Sequence, residues 1–161
     1  MCGIAGGVWI KSQVNVVNLE SALEKIKHRG PDGNGQYIYD SGDVVVGIGH
    51  RRLSIIDLSS LGHQPMHSID GKWSIVFNGE IYNHLVLRKE LIKKKPLNTF
   101  KSFSDTETLL FCFEEYGIKE TLMRVTGMFA LAVYDTLKNE ISLSRDRFGE
   151  KPLYYGWVNG N

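Results

Sequence analysis

The second residue of the chain is a cysteine, in the opening stretch MCGIAGG. Once Met1 is removed, Cys2 carries a thiol and a free α-amine on one residue. A thiol is weakly ionised near neutrality, whereas an α-amine has a reference pKa of about 7.7 to 8.0, close to what a general base needs. One residue can then supply both a nucleophile and the base that activates it. Without that processing, Cys2 is an ordinary terminal thiol, so the reading depends on companion groups. Asn78-Gly79 offers a carboxamide beside a backbone N–H that no side chain obstructs. Such a pair suits a developing oxyanion, and it equally suits a turn after a strand. Arg51 and Arg52 are adjacent guanidinium groups, each able to grip a carboxylate through two parallel hydrogen bonds. The residues alone do not choose between them.

The elements that must position these groups fit one domain of 161 residues, long enough to bury a core. With 19 Lys and Arg against 18 Asp and Glu, the net charge is +1, and no basic stripe interleaved with aromatics marks a nucleic-acid groove. No apolar run is long enough to span a bilayer, and the start lacks the regions of a signal peptide. We therefore expect a soluble cytoplasmic protein. The two cysteines, Cys2 and Cys112, offer neither a disulfide framework nor a CxxC metal spacing. Cys112 reads as a small buried hydrophobe in a helix. His50, His63, His67 and His84 show no metal-like spacing, so each reads as structural or exposed.

Apolar alternation predicts strands near residues 3–10, 36–39, 44–49, 73–77, 128–135, 140–144 and 153–158. A helix carrying Leu19, Ala22, Leu23 and Ile26 ends at Gly30-Pro31, and a second runs over about 83–94. A third starts at the SDTE capping box of residues 104–107, where the Ser104 hydroxyl meets the N3 amide and Glu107 reaches back. A short helical turn follows near 119–125. Leu137-Lys138-Asn139 closes a hairpin. Strands such as IAGGVWI (4–10) and FALAVY (129–134) are apolar on both phases, so both of their faces should be covered. The pattern is that of an α+β domain with antiparallel sheet.

The blocks MCGIAGG, HRGPDG, RRLSIIDLS, GHQPM, FNGEIYNH, SDTE and SRDRFGEKPLYYG, in this order over nearly the whole chain, resemble the N-terminal glutaminase domain of glutamine-hydrolysing asparagine synthetases. These are class II glutamine amidotransferases of the N-terminal nucleophile hydrolase family. The resemblance implies a four-layer αββα sandwich with two mainly antiparallel sheets. It implies hydrolysis of L-glutamine to L-glutamate and ammonia through a γ-glutamyl thioester on Cys2. The oxyanion hole then falls on Asn78 and Gly79, which also contact substrate. Aligning RLSIID places the glutamine-binding arginine at Arg52, with Leu53, Ser54, Ile55 and Ile56 in the same segment, and leaves Arg51 as a surface charge. Asp105 and Glu80 become the candidates for the substrate α-ammonium. Asp105 has a structural reason to exist as well, because a carboxylate in the first turn complements the helix dipole by about 0.3 to 1 kcal/mol. Arg145-Asp146-Arg147 reads as a salt-bridged turn, and the HRGPDG loop as support for the nucleophile.

The glutaminase half-reaction calls for no metal and no cofactor. Asparagine synthesis would also need an ATP- and Mg-using synthetase domain C-terminal to this one. The sequence contains no SGGxDS pyrophosphatase-type segment, so that domain is expected outside it. The expected partners are L-glutamine and that synthetase domain, with a homodimer left open and neither nucleic acid nor membrane involved. Two other functions stay open: an amidotransferase domain serving another acceptor, such as a sugar or peptide carboxylate, and a non-catalytic glutamine-binding domain if Met1 is retained.

Overall fold

The computed structural model describes residues 1–11, 18–54, 59–96 and 99–157. Two antiparallel sheets lie at its centre. The first has the order β1-β3-β2, built from β1 (Gly3–Ile10), β2 (Gly33–Asp40) and β3 (Val44–Arg52). The second has the order β4-β5-β6-β7, built from β4 (Met66–His67), β5 (Trp73–Ile81), β6 (Gly127–Asp135) and β7 (Glu140–Arg145). Helix α1 (Leu19–Lys25) packs on β1 and β3, while α2 (His84–Lys94) and α3 (Asp105–Arg124) cover the second sheet. The layers are those expected of an αββα sandwich.

The two-phase apolar pattern has the physical meaning expected of it at residues 129–134 but not at residues 4–10, where Val8 and Ile10 of β1 stand exposed because no layer among the described residues covers that face of the strand there. Along β5, Ile75 and Phe77 join the core beneath α2 and α3, while Val76 joins the inter-sheet core with Ile48 and Ala132. Along β6, Leu131 and Val133 face the helices and Ala132 faces the other sheet. Both strands are therefore apolar on both faces. Cys112 lies in the helix-side core, where burial pushes its thiol up to about 12. It is chemically inert as well as buried.

Local signals set most ends. The Asn18 side chain accepts from the Ser21 N–H at 3.0 Å and caps α1. That helix stops at Lys25, and a 3-10 turn (Lys27–Arg29) carries the chain to Gly30. A Cβ at Gly30 would lie 2.4 Å from the Arg51 carbonyl, so only glycine lets the loop pack directly on β3. Ser104 caps α3, but it accepts from the Thr106 N–H at 3.1 Å. Glu107 accepts from the N–H groups of Lys101 and Ser102 and from the Ser102 hydroxyl, so the predicted reciprocal box is replaced by a carboxylate that ties down the preceding loop. The turn expected at 119–125 is the second half of α3, beyond a kink at Gly117 where φ is 77°. In the hairpin between β6 and β7, Asp135 Oδ1 accepts from the Leu137 and Lys138 N–H groups.

The strand expected at 153–158 does not form over 152–157, and residue 158 lies outside the described residues. Alternation alone cannot make a strand without a neighbour to complete its ladder, and Tyr154, Tyr155 and Trp157 stand exposed. Among the described residues no helix is long and apolar enough to cross a membrane.

Candidate active site

Register brings the distant motifs together. Gly3 pairs with Arg51, so Cys2 arrives where β3 ends, and the Leu53 N–H donates to Cys2 Sγ at 3.3 Å. The Arg29 Nε–H donates to the Cys2 carbonyl at 3.1 Å, which gives the HRGPDG loop its expected supporting role. The two sheets meet through His50, whose Nε2 lies 3.1 Å from the Phe77 carbonyl. Burial lowers His50 to about 4, outweighing the pull of that carbonyl in the other direction, and the charges of Arg52 and His63 add to the lowering. The ring is therefore neutral and donates to Phe77. This bond joins β3 to β5, and Arg52, two residues beyond His50, and Asn78, one residue beyond Phe77, line the same cavity.

The outer edge of β5 explains why Gly79 matters. Successive N–H groups on a strand point to opposite edges, so Phe77, Gly79 and Ile81 share the edge that β6 does not use. The Phe77 N–H donates to Gln64 Oε1 at 2.6 Å and the Ile81 N–H to Asp105 Oδ2 at 2.9 Å. The Gly79 N–H between them has no side-chain acceptor among the described residues. A Cβ at Gly79 would meet the Met128 carbonyl oxygen at 2.2 Å and Phe129 Cα at 2.6 Å, so β5 and β6 approach this closely only with glycine there.

A cavity of about 150 Å³ lies between these elements, lined by Cys2, Arg52, Leu53, Ser54, Asn78, Gly79, Glu80 and Asp105 among others. All the candidate residues therefore share one cavity, except Ile55 and Ile56, which lie outside the described residues. Asn78 and Asp105 are buried and Glu80 is exposed, which makes Asp105 the deeper of the two carboxylates. Burial raises the Asp105 carboxyl above its ordinary value, against the Ile81 N–H and the nearby His84, which lower it. Arg52 Nη1 donates to the Ser59 carbonyl at 2.8 Å.

Arg51 is not the surface charge expected of it. It is 8% exposed, its Nε–H donates to the Leu23 carbonyl at 2.9 Å, and its Nη2 pairs with Glu24. Alternation across β3 sends one arginine to α1 and the other to the cavity. The Arg145-Asp146-Arg147 turn also differs from expectation, because none of its members forms an ion pair among the described residues. Asp146 Oδ1 accepts from the Phe148 and Glu150 N–H groups, and Oδ2 from those of Phe129 and Lys151. Desolvation works against the charged form, but these four backbone donors prevail and hold the carboxyl at about 2.

Three lining residues were not among the expected site residues: Gln64 and Lys151, which lie in quoted blocks, and His50, which was expected to be structural or exposed. Gln64 of GHQPM joins β5 to the start of α3, since its Nε2 donates to Thr106 Oγ1 at 3.3 Å. His50 joins the sheets. Lys151 of GEKPLYYG is 6% exposed and lines the cavity, with its Nζ 2.9 Å from Met1 Sδ.

Residues 1–161, the whole chain, match the family described as the glutamine amidotransferase domain. The chain belongs to that family. As an amidotransferase domain it is 40% identical to asparagine synthetase [glutamine-hydrolyzing] 1 of Bacillus subtilis, over 99% of this chain and 24% of that protein. It is 36% identical to asparagine synthetase [glutamine-hydrolyzing] 2 of Arabidopsis thaliana, over 98% of this chain and 26% of that protein. It is also 36% identical to the amidase chyE of Penicillium rubens, over 99% of this chain and 24% of that protein. The chain thus spans about a quarter of the length of these relatives. Among solved structures, glutamine phosphoribosylpyrophosphate amidotransferase from B. subtilis superposes with a TM-score of 0.63 at 18% identity, over 77% of this chain and 33% of that one. That likeness concerns the fold alone.

Proposed function

We propose that the domain, with Met1 removed, hydrolyses L-glutamine to L-glutamate and ammonia. The observation that carries this reading is the convergence of Cys2, Asn78-Gly79, Arg52 and Asp105 on one cavity. The Arg52 guanidinium takes the substrate α-carboxylate, and Asp105, with Glu80 at the rim, takes the α-ammonium. These two grips fix the side-chain amide over Cys2. The Cys2 sulfur attacks the amide carbon while the α-amine of the same residue accepts the thiol proton. The Asn78 carboxamide and the Gly79 N–H donate to the oxyanion, each donor being worth about 3 kcal/mol. The α-ammonium returns the proton to the leaving nitrogen, ammonia departs, and water hydrolyses the γ-glutamyl thioester. This half-reaction asks nothing of a metal or cofactor.

In the full-length protein the ammonia serves a C-terminal, ATP- and Mg-dependent synthetase domain that makes asparagine from aspartate, in the cytoplasm. Support comes from the asparagine synthetases that the chain matches over their amidotransferase-sized portion. The amidase from P. rubens keeps a different acceptor as the second reading, and asparagine formation by the longer protein from aspartate, ATP and glutamine separates the two. The glutaminase step is tested by glutamate release from processed protein against Cys2→Ala. Equal rates would remove the proposal.

A further inference from the structure

Lys151 has a side chain that the scheme above leaves unused. Its residue is 6% exposed, and the one acceptor within reach of its ammonium among the described residues is Met1 Sδ at 2.9 Å. A thioether is a weak acceptor for a buried cation, and the proposed reaction requires Met1 to leave. A buried ammonium cannot stay without partners. Asp146 holds the backbone of Lys151 in place, because its Oδ2 accepts both the Lys151 backbone N–H at 3.0 Å and the Phe129 N–H at 3.2 Å. Phe129 is the residue of β6 that pairs with Gly79. The Lys151 backbone is therefore fastened to β6 at the residue that pairs with Gly79, and the lysine, which lines the same cavity as Cys2 and Asn78, does not follow the departing methionine outward.

Met1, Cys2 and Lys151 line one cavity, and Met1 Sδ, five bonds from the Cys2 nitrogen, fills the space beside Lys151 Nζ, so loss of Met1 frees that space next to the new α-amine of Cys2. A water takes about 30 Å³ of liquid volume, and it settles where two or more polar partners await it. We propose that Lys151 is a positioning residue for the water that hydrolyses the thioester, a role resting on the glutaminase reading above. Nζ–H donates to the water oxygen, and one water O–H donates to the Cys2 α-amine. The remaining lone pair attacks the thioester carbonyl carbon. As the C–O bond forms, the water proton passes to the α-amine. The C–S bond then breaks, the α-ammonium returns its proton to the thiolate, and glutamate leaves. Lys151 acts only through this water, so it serves deacylation and leaves the attack on glutamine untouched.

The test uses processed protein turning over glutamine in the presence of hydroxylamine, which competes with water for the thioester. The ratio of γ-glutamyl hydroxamate to glutamate reads the water step, while kcat/KM for glutamine reads only steps through ammonia release. In Lys151→Met the ratio is expected to rise roughly ten- to a hundredfold, with kcat/KM within about twofold of the parent. Lys151→Arg, which restores a cation, should bring the ratio back toward the parent value. An unchanged ratio, a parallel fall in kcat/KM, or failure of the arginine to rescue would each overturn the proposal. Should Lys151→Met not fold, Lys151→Gln decides by the same ratio. Absence of Cys2-dependent glutamate release from the parent protein would instead refute the glutaminase reading, a distinct result.

Discussion

Replacing Asp105 with asparagine separates its two duties. The residue heads α3 as part of a capped turn, and its Oδ2 accepts the Ile81 N–H at 2.9 Å. An asparagine retains an oxygen acceptor for that bond and removes only the charge. If the carboxylate holds the glutamine α-ammonium, its loss exchanges a hydrogen bond between charged groups for one about half as strong, at a cost of about 0.75 to 1.5 kcal/mol. That corresponds to roughly a three- to thirteenfold rise in KM with little change in kcat. Stability should move the opposite way. Burial raises the Asp105 carboxyl above its ordinary value, so the folded state holds this proton at a pH where the unfolded chain has released it. Carrying the charge therefore costs stability above the folded value, and the cost vanishes below the unfolded value of about 3.9. Asp105→Asn should then unfold at a higher urea concentration at neutral pH, with the advantage fading as pH falls toward 4. Glutamine kinetics and urea titrations at several pH values measure both effects. A destabilised variant with unchanged KM would show that Asp105 is a helix cap and nothing more.

Other substitutions address the remaining parts. Asn78→Ala should lower kcat about a hundred- to a thousandfold with KM nearly constant, whereas Arg52→Ala should chiefly raise KM; steady-state kinetics distinguishes these signatures. Gly79→Ala forces a methyl against the β6 backbone at 2.2 Å and should cost about 3 kcal/mol or more, some 6 to 12 °C in Tm. Gly71→Ala, at φ 72° with open space around it, should cost only about 1 to 2 kcal/mol; equal calorimetric losses would contradict the close approach at Gly79. His50 sits at about 4 against an ordinary 6.5, so the unfolded chain takes up its proton first as pH falls. Its contribution, about 3 kcal/mol, is complete above pH 6.5 and lost on descending to pH 4. Urea titrations across that window should show a shallower decline in His50→Gln.

The sequence was most legible where local patterning and packing agree. The two-phase apolar run FALAVY at 129–134 announced a strand covered on both faces, and β6 is such a strand, whereas IAGGVWI at 4–10, expected to be covered likewise, leaves Val8 and Ile10 of β1 exposed. Cys2, Asn78-Gly79 and Asp105 were recognisable by residue type and motif, but their meeting depends on the pairing of Gly3 with Arg51 and on the bond from His50 to Phe77. Such long-range register leaves no local trace. The choice of Arg52 over Arg51 needed the aligned motif, and the strand geometry supplies its reason, since neighbours on β3 point to opposite faces. The tail misled because alternation at 153–158 looks like a strand whether or not an edge is there to receive it. Lys151 was hidden for a related reason: lysine reads as surface, and only the backbone bonds to Asp146 carry it inward.

The central claim is that the sulfur of Cys2 becomes covalently joined to the γ-carbonyl of glutamine, and only when Met1 is absent. Mass spectrometry of protein acid-quenched during turnover tests it most directly. Processed protein should carry one γ-glutamyl group, mapped to the N-terminal peptide, and protein retaining Met1 should carry none. Glutamate formation without that adduct, or an adduct on any residue other than Cys2, would contradict the account.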